Sequence, residues 1–134
     1  MTLYMLDTNI VIHALRKHPA VLRHIARVPS DETCISAITA GEISFGFARS
    51  PTAHGQRVAF RELLGSVTVL PWNQQVADMY GPLRAGLERR GRALAPLDLL
   101  IAAHALALGA VLVTNDQAML RQTGLETEDW TRDV

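Results

Sequence analysis

The chain has 134 residues, 49% of them hydrophobic and 19% charged, a balance that excludes a disordered chain and fits one globular domain. The 13 basic and 13 acidic residues give a formal net charge of zero, so the chain as a whole has no field that attracts nucleic acid. The single cysteine, Cys34, excludes an internal disulfide and a cysteine-based metal cage, and its apolar neighbours predict an inert buried thiol.

Strand-like and helical segments alternate from one end of the chain to the other. Pro19 and Pro96 fit first helical turns, Thr8 or Asn9 is expected to cap the first helix, and Gly109 fits a helix end. In chain order, the predicted elements are strand Leu3–Leu6, helix Ile10–Arg16, helix Pro19–Val28, strand Thr33–Ser36, helix Ala37–Ala48, helix Ala53–Leu64, strand Val67–Leu70, a helix from its Asn73 cap to Arg90, helix Pro96–Leu108, strand Val111–Thr114, helix Asp116–Arg121 and strand Leu125–Glu128.

This alternation predicts an α/β fold with a central parallel sheet covered by helices on both faces. The chain contains no repeat, low-complexity tract or linker, so we expect a single domain over residues 1–134. The longest apolar run, residues 97–113, is interrupted by Asp98, His104 and Gly109, which argues against a membrane span. The N-terminus has no secretory leader pattern, and we expect a cytoplasmic protein.

Two apolar strands are followed by similar polar clusters. Asp7, Thr8 and Asn9 follow the first strand, and Thr114, Asn115 and Asp116 follow or end the fourth. The carboxyl ends of parallel strands lie at one edge of a sheet, where ligands of such folds bind. We therefore expect the two clusters to lie at the same edge.

Two further acids stand in apolar helices. Glu42 shares a helix face with Ile38 and Phe45, and Asp98 begins the most apolar helix of the chain. A buried carboxylate is expensive unless it binds a metal, pairs with a base or caps a helix. Four simpler roles remain open: a favourable place at a helix N-terminus for Asp98, a helix cap for Asp116, a strand-to-turn position for Asp7 and pairing with an arginine for Glu42.

Four carboxylates with no nearby histidine or cysteine favour Mg²⁺, or Mn²⁺, over zinc. Clustered carboxylates repel one another, and a bound cation removes that repulsion. Such a metal would orient and activate water against a phosphodiester.

Four segments of this chain resemble the motifs of PIN-domain nucleases, and more closely those of the VapC toxins of bacterial toxin–antitoxin pairs. The resemblance covers essentially the whole chain, including the closing segment 127–130. The segments are Met5–Asn9, Ile35–Glu42, Pro96–Ala105 and Val113–Asp116.

The resemblance implies a PIN-like three-layer α/β/α fold with four or five strands and a Mg²⁺-dependent endoribonuclease. It implies that Asp7, Glu42, Asp98 and Asp116 form the catalytic acidic pocket, and we expect the three aspartates to be the metal ligands. Thr8, Asn9, Thr114 and Asn115 would support the acids. It also implies a homodimer, a VapB-type antitoxin as partner, and a structured RNA substrate such as tRNA, with initiator tRNA as one candidate.

Arg89, Arg90 and Arg92 form the densest basic cluster of the chain. They are expected to bind RNA phosphates, although a solvated helix end explains them equally simply. Phe45, Phe47 and Phe60 fit either an apolar interface or the core.

Two alternatives stay open. An aspartyl-phosphate phosphatase also begins with an acid after its first strand, but it needs a second acid where Asn9 stands, and a lysine, of which Lys17 is the only one. A catalytically silent module that binds RNA or an antitoxin is the other alternative.

Overall fold

The computed structural model describes residues 1–132, in which five parallel strands form one sheet in the order β3-β2-β1-β4-β5. Parallel pairing and strand number agree with the sequence prediction. The strands are β1 Tyr4–Leu6, β2 Thr33–Ser36, β3 Thr68–Leu70, β4 Val111–Val113 and β5 Thr127–Glu128.

In the part of the chain that the structure describes, seven helices connect and cover these strands, and their ends differ from the predicted ends by at most two residues. A short 3-10 turn, Ser30–Glu32, occupies the predicted turn before β2. Within residues 1–132, no helix has both the length and the apolar character required to cross a membrane. The helices are α1 Thr8–Leu15, α2 Pro19–Arg27, α3 Ala37–Arg49, α4 His54–Leu63, α5 Gln74–Arg89, α6 Pro96–Leu108 and α7 Gln117–Gln122.

Helices cover both faces of the sheet, which confirms the three-layer prediction. Neighbouring residues of a strand point to opposite faces, so β1 serves two separate cores. Leu6 packs in a core with Trp130 and residues of α1, α2 and α4. Met5 packs in the other core with Ile101 of α6 and Met119 of α7.

The expected cap of the first helix was wrong. Asp7, not Thr8 or Asn9, is the N-cap of α1, and its Oδ1 accepts a hydrogen bond from the Thr8 backbone N–H at 2.7 Å. The reason is that α1 begins immediately after β1, two residues earlier than predicted. Asp7 is therefore the last extended residue and the natural position for a capping carboxylate.

Two of the three phenylalanines have the predicted core role, and an interface role for the third, Phe45, stays a prediction. Phe47 and Phe60 are half-buried against the first core, with ring centroids 6.0 Å apart. Phe45 is exposed to 62% and takes no part in either core. Cys34 is buried as predicted, and burial raises the pKa of its thiol to about 12, which makes it a poor nucleophile.

The direction of α6 positions Asp98. This helix ends at Gly109, which has the left-handed φ of 64° expected of a C-terminal glycine, and the chain then enters β4. Because α6 runs back to the start of a strand, its own N-terminus lies toward the carboxyl edge of the sheet. The sheet edge that carries Asp7 thus also receives the first turn of α6.

Candidate active site

The two polar clusters meet at the carboxyl edge of β1 and β4, as predicted. These strands are neighbours, with Leu6 paired to Val113. The Asp7 backbone N–H donates to the Val113 carbonyl at 2.9 Å, and the Thr114 hydroxyl donates to Asp7 Oδ2 at 2.8 Å. The second of these hydrogen bonds joins two residues that are 107 positions apart in the sequence.

Asp7 is the most rigidly held of the four acids. Only 2% of the residue is exposed, and each carboxylate oxygen accepts a hydrogen bond, from Thr8 N–H and from the Thr114 hydroxyl. Burial raises the pKa of Asp7, the two hydrogen bonds lower it, and repulsion from Asp116 and Glu42 raises it further. Its pKa lies above the ordinary value, which is typical of a carboxylate prepared for a cation or a proton.

Glu42 comes from the second turn of α3, and its environment differs from the predicted one. The helix packs through Thr39 and Ile43, whereas Glu42 is half-buried and Phe45 faces solvent. The predicted apolar stripe around Glu42 is therefore not turned to the core. The Thr8 hydroxyl donates to Glu42 Oε1 at 2.7 Å and lies 3.1 Å from the Thr39 hydroxyl oxygen.

Asp98 stands in the first turn of α6 and is half-buried. Burial raises the pKa of its carboxyl to about 6, with further contributions from the negative charges of Asp7, Asp116 and Glu42. The N-cap of this helix is Ala95, and Asp98 is the acid of its first turn, the place at a helix N-terminus that the sequence left open for it. Because the charges of the other three acids all act on Asp98, the four acids lie in one region of the structure.

Asp116 has the capping role that the sequence left open, together with a place in the site. Its Oδ1 accepts a hydrogen bond from the Ala118 backbone N–H at 2.9 Å at the start of α7. Its own N–H donates to the Thr114 hydroxyl at 3.0 Å, and Thr114 in turn donates to Asp7. Its charge raises the pKa of both Asp7 and Asp98.

The donor set of this site consists of carboxylate and hydroxyl oxygens, which suits Mg²⁺ or Mn²⁺. Within residues 1–132, however, no three acidic, histidine or cysteine side chains come close enough to enclose an ion by themselves. Mg²⁺ commonly retains several waters and contacts only one or two carboxylates. The residues therefore fit a water-rich magnesium site, and direct ligation by Asp7, Asp98 and Asp116 together stays a prediction.

The remaining predicted residues lie at different distances from this centre. Asn9 is exposed and Asn115 half-buried, and their supporting roles stay predictions. Arg89, Arg90 and Arg92 are exposed at the C-terminal end of α5, before the loop that leads to α6. Arg90 Nη2 donates to the Gln122 carbonyl at 3.1 Å, so this side chain also ties α5 to the end of α7.

Sequence reasoning missed a buried polar pair that joins two of the acid-bearing helices. His104 Nδ1 of α6 lies 2.8 Å from the Ser36 hydroxyl oxygen, and Ser36 is the N-cap of α3. Burial lowers the pKa of His104, which favours the neutral ring. The contact fixes the helix of Glu42 relative to the helix of Asp98. The only sequence signal was a histidine within a strongly apolar helix.

A family model for the PIN domain matches residues 4–125 of the chain. The chain belongs to the PIN domain family. The four motifs that resemble PIN-domain nucleases fall within or at the site just described.

Relatives of this PIN domain carry the VapC name. The tRNA(fMet)-specific endonuclease VapC of Shigella flexneri is 34% identical, and the match covers 98% of this chain and all of that protein. Ribonuclease VapC1 of Haemophilus influenzae strain R2866 is 37% identical, over 97% of this chain and 99% of that protein. These matches place the chain in the VapC group, as the motifs predicted.

Solved structures agree in fold over the full length. VapBC2 from Rickettsia felis, bound to a DNA fragment from its promoter, superposes with a TM-score of 0.88 at 32% identity and covers 95% of this chain and 98% of that one. VapBC-1 from nontypeable Haemophilus influenzae gives a TM-score of 0.85 at 33% identity, over 98% of this chain and 100% of that one. The fold observed here is therefore that of the VapBC structures it matches.

Proposed function

We propose that this PIN domain is a metal-dependent endoribonuclease and the toxin of a toxin–antitoxin pair. The observation that carries the proposal is the convergence of four acids from four parts of the chain on one sheet edge, where burial and then the neighbouring negative charges raise the pKa values of Asp7 and Asp98. Relatives of similar length named as ribonucleases support it.

The four acids of the site have different proposed roles. Asp7 is held in one orientation by two hydrogen bonds, which suits the position of a principal metal ligand. Asp98 and Asp116 add charge at the same place, and bound Mg²⁺ would supply a water of lowered pKa and neutralise charge on the phosphodiester. Glu42 uses Oε1 for the Thr8 hydroxyl, so its Oε2 can accept a proton from the attacking water.

Hydrolysis then forms a bond between the water oxygen and phosphorus and breaks the bond to one ester oxygen of the RNA. Because the chain has no net charge, substrate binding depends on local cations, and Arg89, Arg90 and Arg92 are the proposed phosphate contacts. A tRNA is the proposed substrate class, with initiator tRNA as the first to test, since a relative is named for tRNA(fMet).

A VapB-type antitoxin and a second copy of this chain are the proposed protein partners. VapBC complexes among the similar structures support the antitoxin. A cleft of about 480 Å³ between α1, α3 and α4, whose lining includes Glu42, Arg16 and Arg49, offers a surface for an antitoxin segment. A segment in that cleft would contact Glu42 and block access to it.

The test is cleavage of total RNA and of initiator tRNA by the purified, antitoxin-free protein in Mg²⁺, in Mn²⁺ and in EDTA. We expect cleavage only with a divalent metal, and none from Asp7→Asn, whose fold is checked by circular dichroism. Asp31→Asn, at an exposed position outside the site, is the matched control. If the antitoxin-free protein neither cuts RNA nor binds a divalent metal, the nuclease proposal fails and a silent binding module replaces it.

The phosphatase alternative gains nothing from the structure. An aspartyl-phosphate site needs a lysine beside its acid. Lys17, the only lysine of the chain, is exposed beyond the end of α1 and forms none of the hydrogen bonds that hold Asp7.

A further inference from the structure

A second cleft opens beside Glu42 on the side of α3 that faces α6. Its volume is about 470 Å³, within the size range of small-ligand sites. The cleft is predominantly apolar but has the Glu42 carboxylate at one end. Its lining residues are Ala37, Ile38, Gly41, Glu42, Phe45 and Leu97.

Two large apolar side chains stand unusually free at this cleft. Phe45 is exposed to 62% and Leu97 to 44%. Leu97 directly precedes Asp98, and Phe45 follows Glu42 by three residues on the same helix face. Each of these two apolar residues therefore lies close in sequence to an acid of the candidate active site.

A cation lies next along the same helix. The guanidinium carbon of Arg49 stands 5.2 Å from the centroid of the Phe45 ring, and the residue is exposed. Acid, aromatic ring and guanidinium thus follow one another along α3, at Glu42, Phe45 and Arg49. From Glu42 to Arg49 the helix rises by about 10 Å, which is of the order of one to two nucleotides of an extended strand.

The floor of the cleft is a helical glycine. Gly41 lies inside α3, and a Cβ built on it meets no atom within 4 Å apart from its own helix. A glycine inside a helix is less favourable than an alanine, and here no neighbour demands it. Its effect is to leave the space over the helix backbone open to a flat group.

We propose that this cleft holds a base of the RNA strand next to the scissile phosphodiester, stacked on Phe45, while Arg49 binds a neighbouring phosphate. The inference rests on the proposed ribonuclease function and adds a substrate subsite to it. Bases stack on aromatic and guanidinium planes in single-stranded recognition, and arginine pairs with phosphate.

The alternative occupant is an apolar side chain of a protein, either a second copy or a partner. Such a side chain would remove water from the Glu42 carboxylate without offering it a hydrogen bond, which is unfavourable. A nucleobase covers the same apolar walls, and its polar edge lets the attacking water remain at the Glu42 carboxylate. Charge complementarity between Arg49 and a phosphate also favours nucleic acid.

Stacking is measured with a short oligouridylate that carries one 2-aminopurine, whose fluorescence falls when the base stacks. Titration with the full chain in EDTA keeps the strand intact under the proposed function. We expect Phe45→Ala to abolish the quenching and to weaken binding by roughly 5- to 100-fold, and Phe45→Tyr to retain both. Val69→Ala, another exposed apolar position on β3, is the matched control.

Two further variants test the cleft and the cation separately. Gly41→Leu fills the open space with a good helix former, so we expect lost quenching without loss of thermal stability. Arg49→Ala is expected to reduce the slope of log affinity against log salt concentration by about 0.7, the value for one phosphate contact on a single strand. Arg27→Ala, on the exposed side of α2, should leave that slope unchanged.

The outcomes separate this subsite from the nuclease proposal. Quenching that depends on Phe45 supports the subsite even if no RNA is cut. Normal quenching and normal RNA cleavage by Phe45→Ala and Gly41→Leu would overturn the subsite and leave the nuclease standing. A Phe45→Ala protein that changes its sedimentation behaviour while its RNA binding is unchanged would assign the cleft to a second copy, which also overturns the subsite.

Discussion

Replacing Asp98 by asparagine should stabilise the metal-free protein at neutral and alkaline pH. Burial and three neighbouring acids raise the pKa of this carboxyl from 3.8 to about 6 in the folded chain. The folded state thus binds the proton more tightly than the unfolded state. Stability is lost as the pH rises through the window from about 4 to about 6, and the full penalty persists above it. An asparagine side chain carries no charge and escapes that penalty.

The size of the effect follows from the pKa shift and the position of the residue. A shift from 3.8 to about 6 corresponds to at most about 3 kcal/mol, and solvent screening at a half-buried carboxylate reduces this to about 1.5 kcal/mol. The carboxylate interacts favourably with the N-terminus of α6, which opposes the gain by about 0.5 kcal/mol. We expect a net gain of about 1 kcal/mol, or about 4 °C in Tm.

The assay is thermal unfolding followed by circular dichroism in EDTA, at about pH 8 and about pH 4.5, toward either end of the titration. Asp98→Asn should raise the Tm at the higher pH and change it much less at the lower one. Asp78→Asn, on the exposed face of α5, is the control and should show no such difference. Addition of Mg²⁺ should stabilise the natural protein more than the variant. If Asp98→Asn is destabilised at pH 8, burial and the neighbouring acids do not penalise the Asp98 carboxylate as the structure indicates.

Three other variants examine the supports of the site and the fold. Thr114→Val removes the hydroxyl donor to buried Asp7 and should lower the free energy of unfolding by about 1–3 kcal/mol in urea titrations; an unchanged value would show that the Asp7 carboxylate does not need this donor. Arg89→Ala combined with Arg90→Ala should weaken binding of tRNA and flatten its salt dependence, and an identical salt slope would return both residues to ordinary surface charge. Trp130 is 1% exposed and its ring is stacked on His24. Trp130→Ala should therefore lower the free energy of unfolding by about 3–5 kcal/mol in the same urea titrations. A decrease no larger than that of a surface substitution would contradict the place of Trp130 in the core.

The sheet edge was predictable because its signal is local and repeated. Each cluster follows an apolar strand of β-branched or large residues, and parallel topology brings the strand ends to one edge without knowledge of any side-chain contact. That shared edge was expected, and the structure confirms it. The hydrogen bond between Thr114 and Asp7 needs more, namely that β1 and β4 be neighbours, and this adjacency comes from the structure.

The environment of Glu42 was not predictable from helical spacing. The helix α3 has apolar residues on more than one side, so periodicity alone does not tell which side meets the sheet. In the structure, α3 packs against the rest of the protein through Thr39 and Ile43, and Phe45 is therefore exposed to solvent. The contact between Ser36 and His104 was equally hidden, because it spans 68 residues and has no local pattern.

The four acids are held unequally, and this bears on how the proposed site would work. Both carboxylate oxygens of Asp7 accept hydrogen bonds, and one oxygen of Asp116 caps α7. For Asp98, the main influences on the carboxyl are burial and the negative charges of the other three acids. A site that held all four rigidly would accumulate more repulsion in the absence of a cation, since each fixed charge raises the pKa of the others. One fixed acid and more loosely held partners limit that penalty and leave room for the waters that magnesium retains. The unequal support of the acids therefore suits the proposed metal site, because it limits charge repulsion while no metal ion is bound.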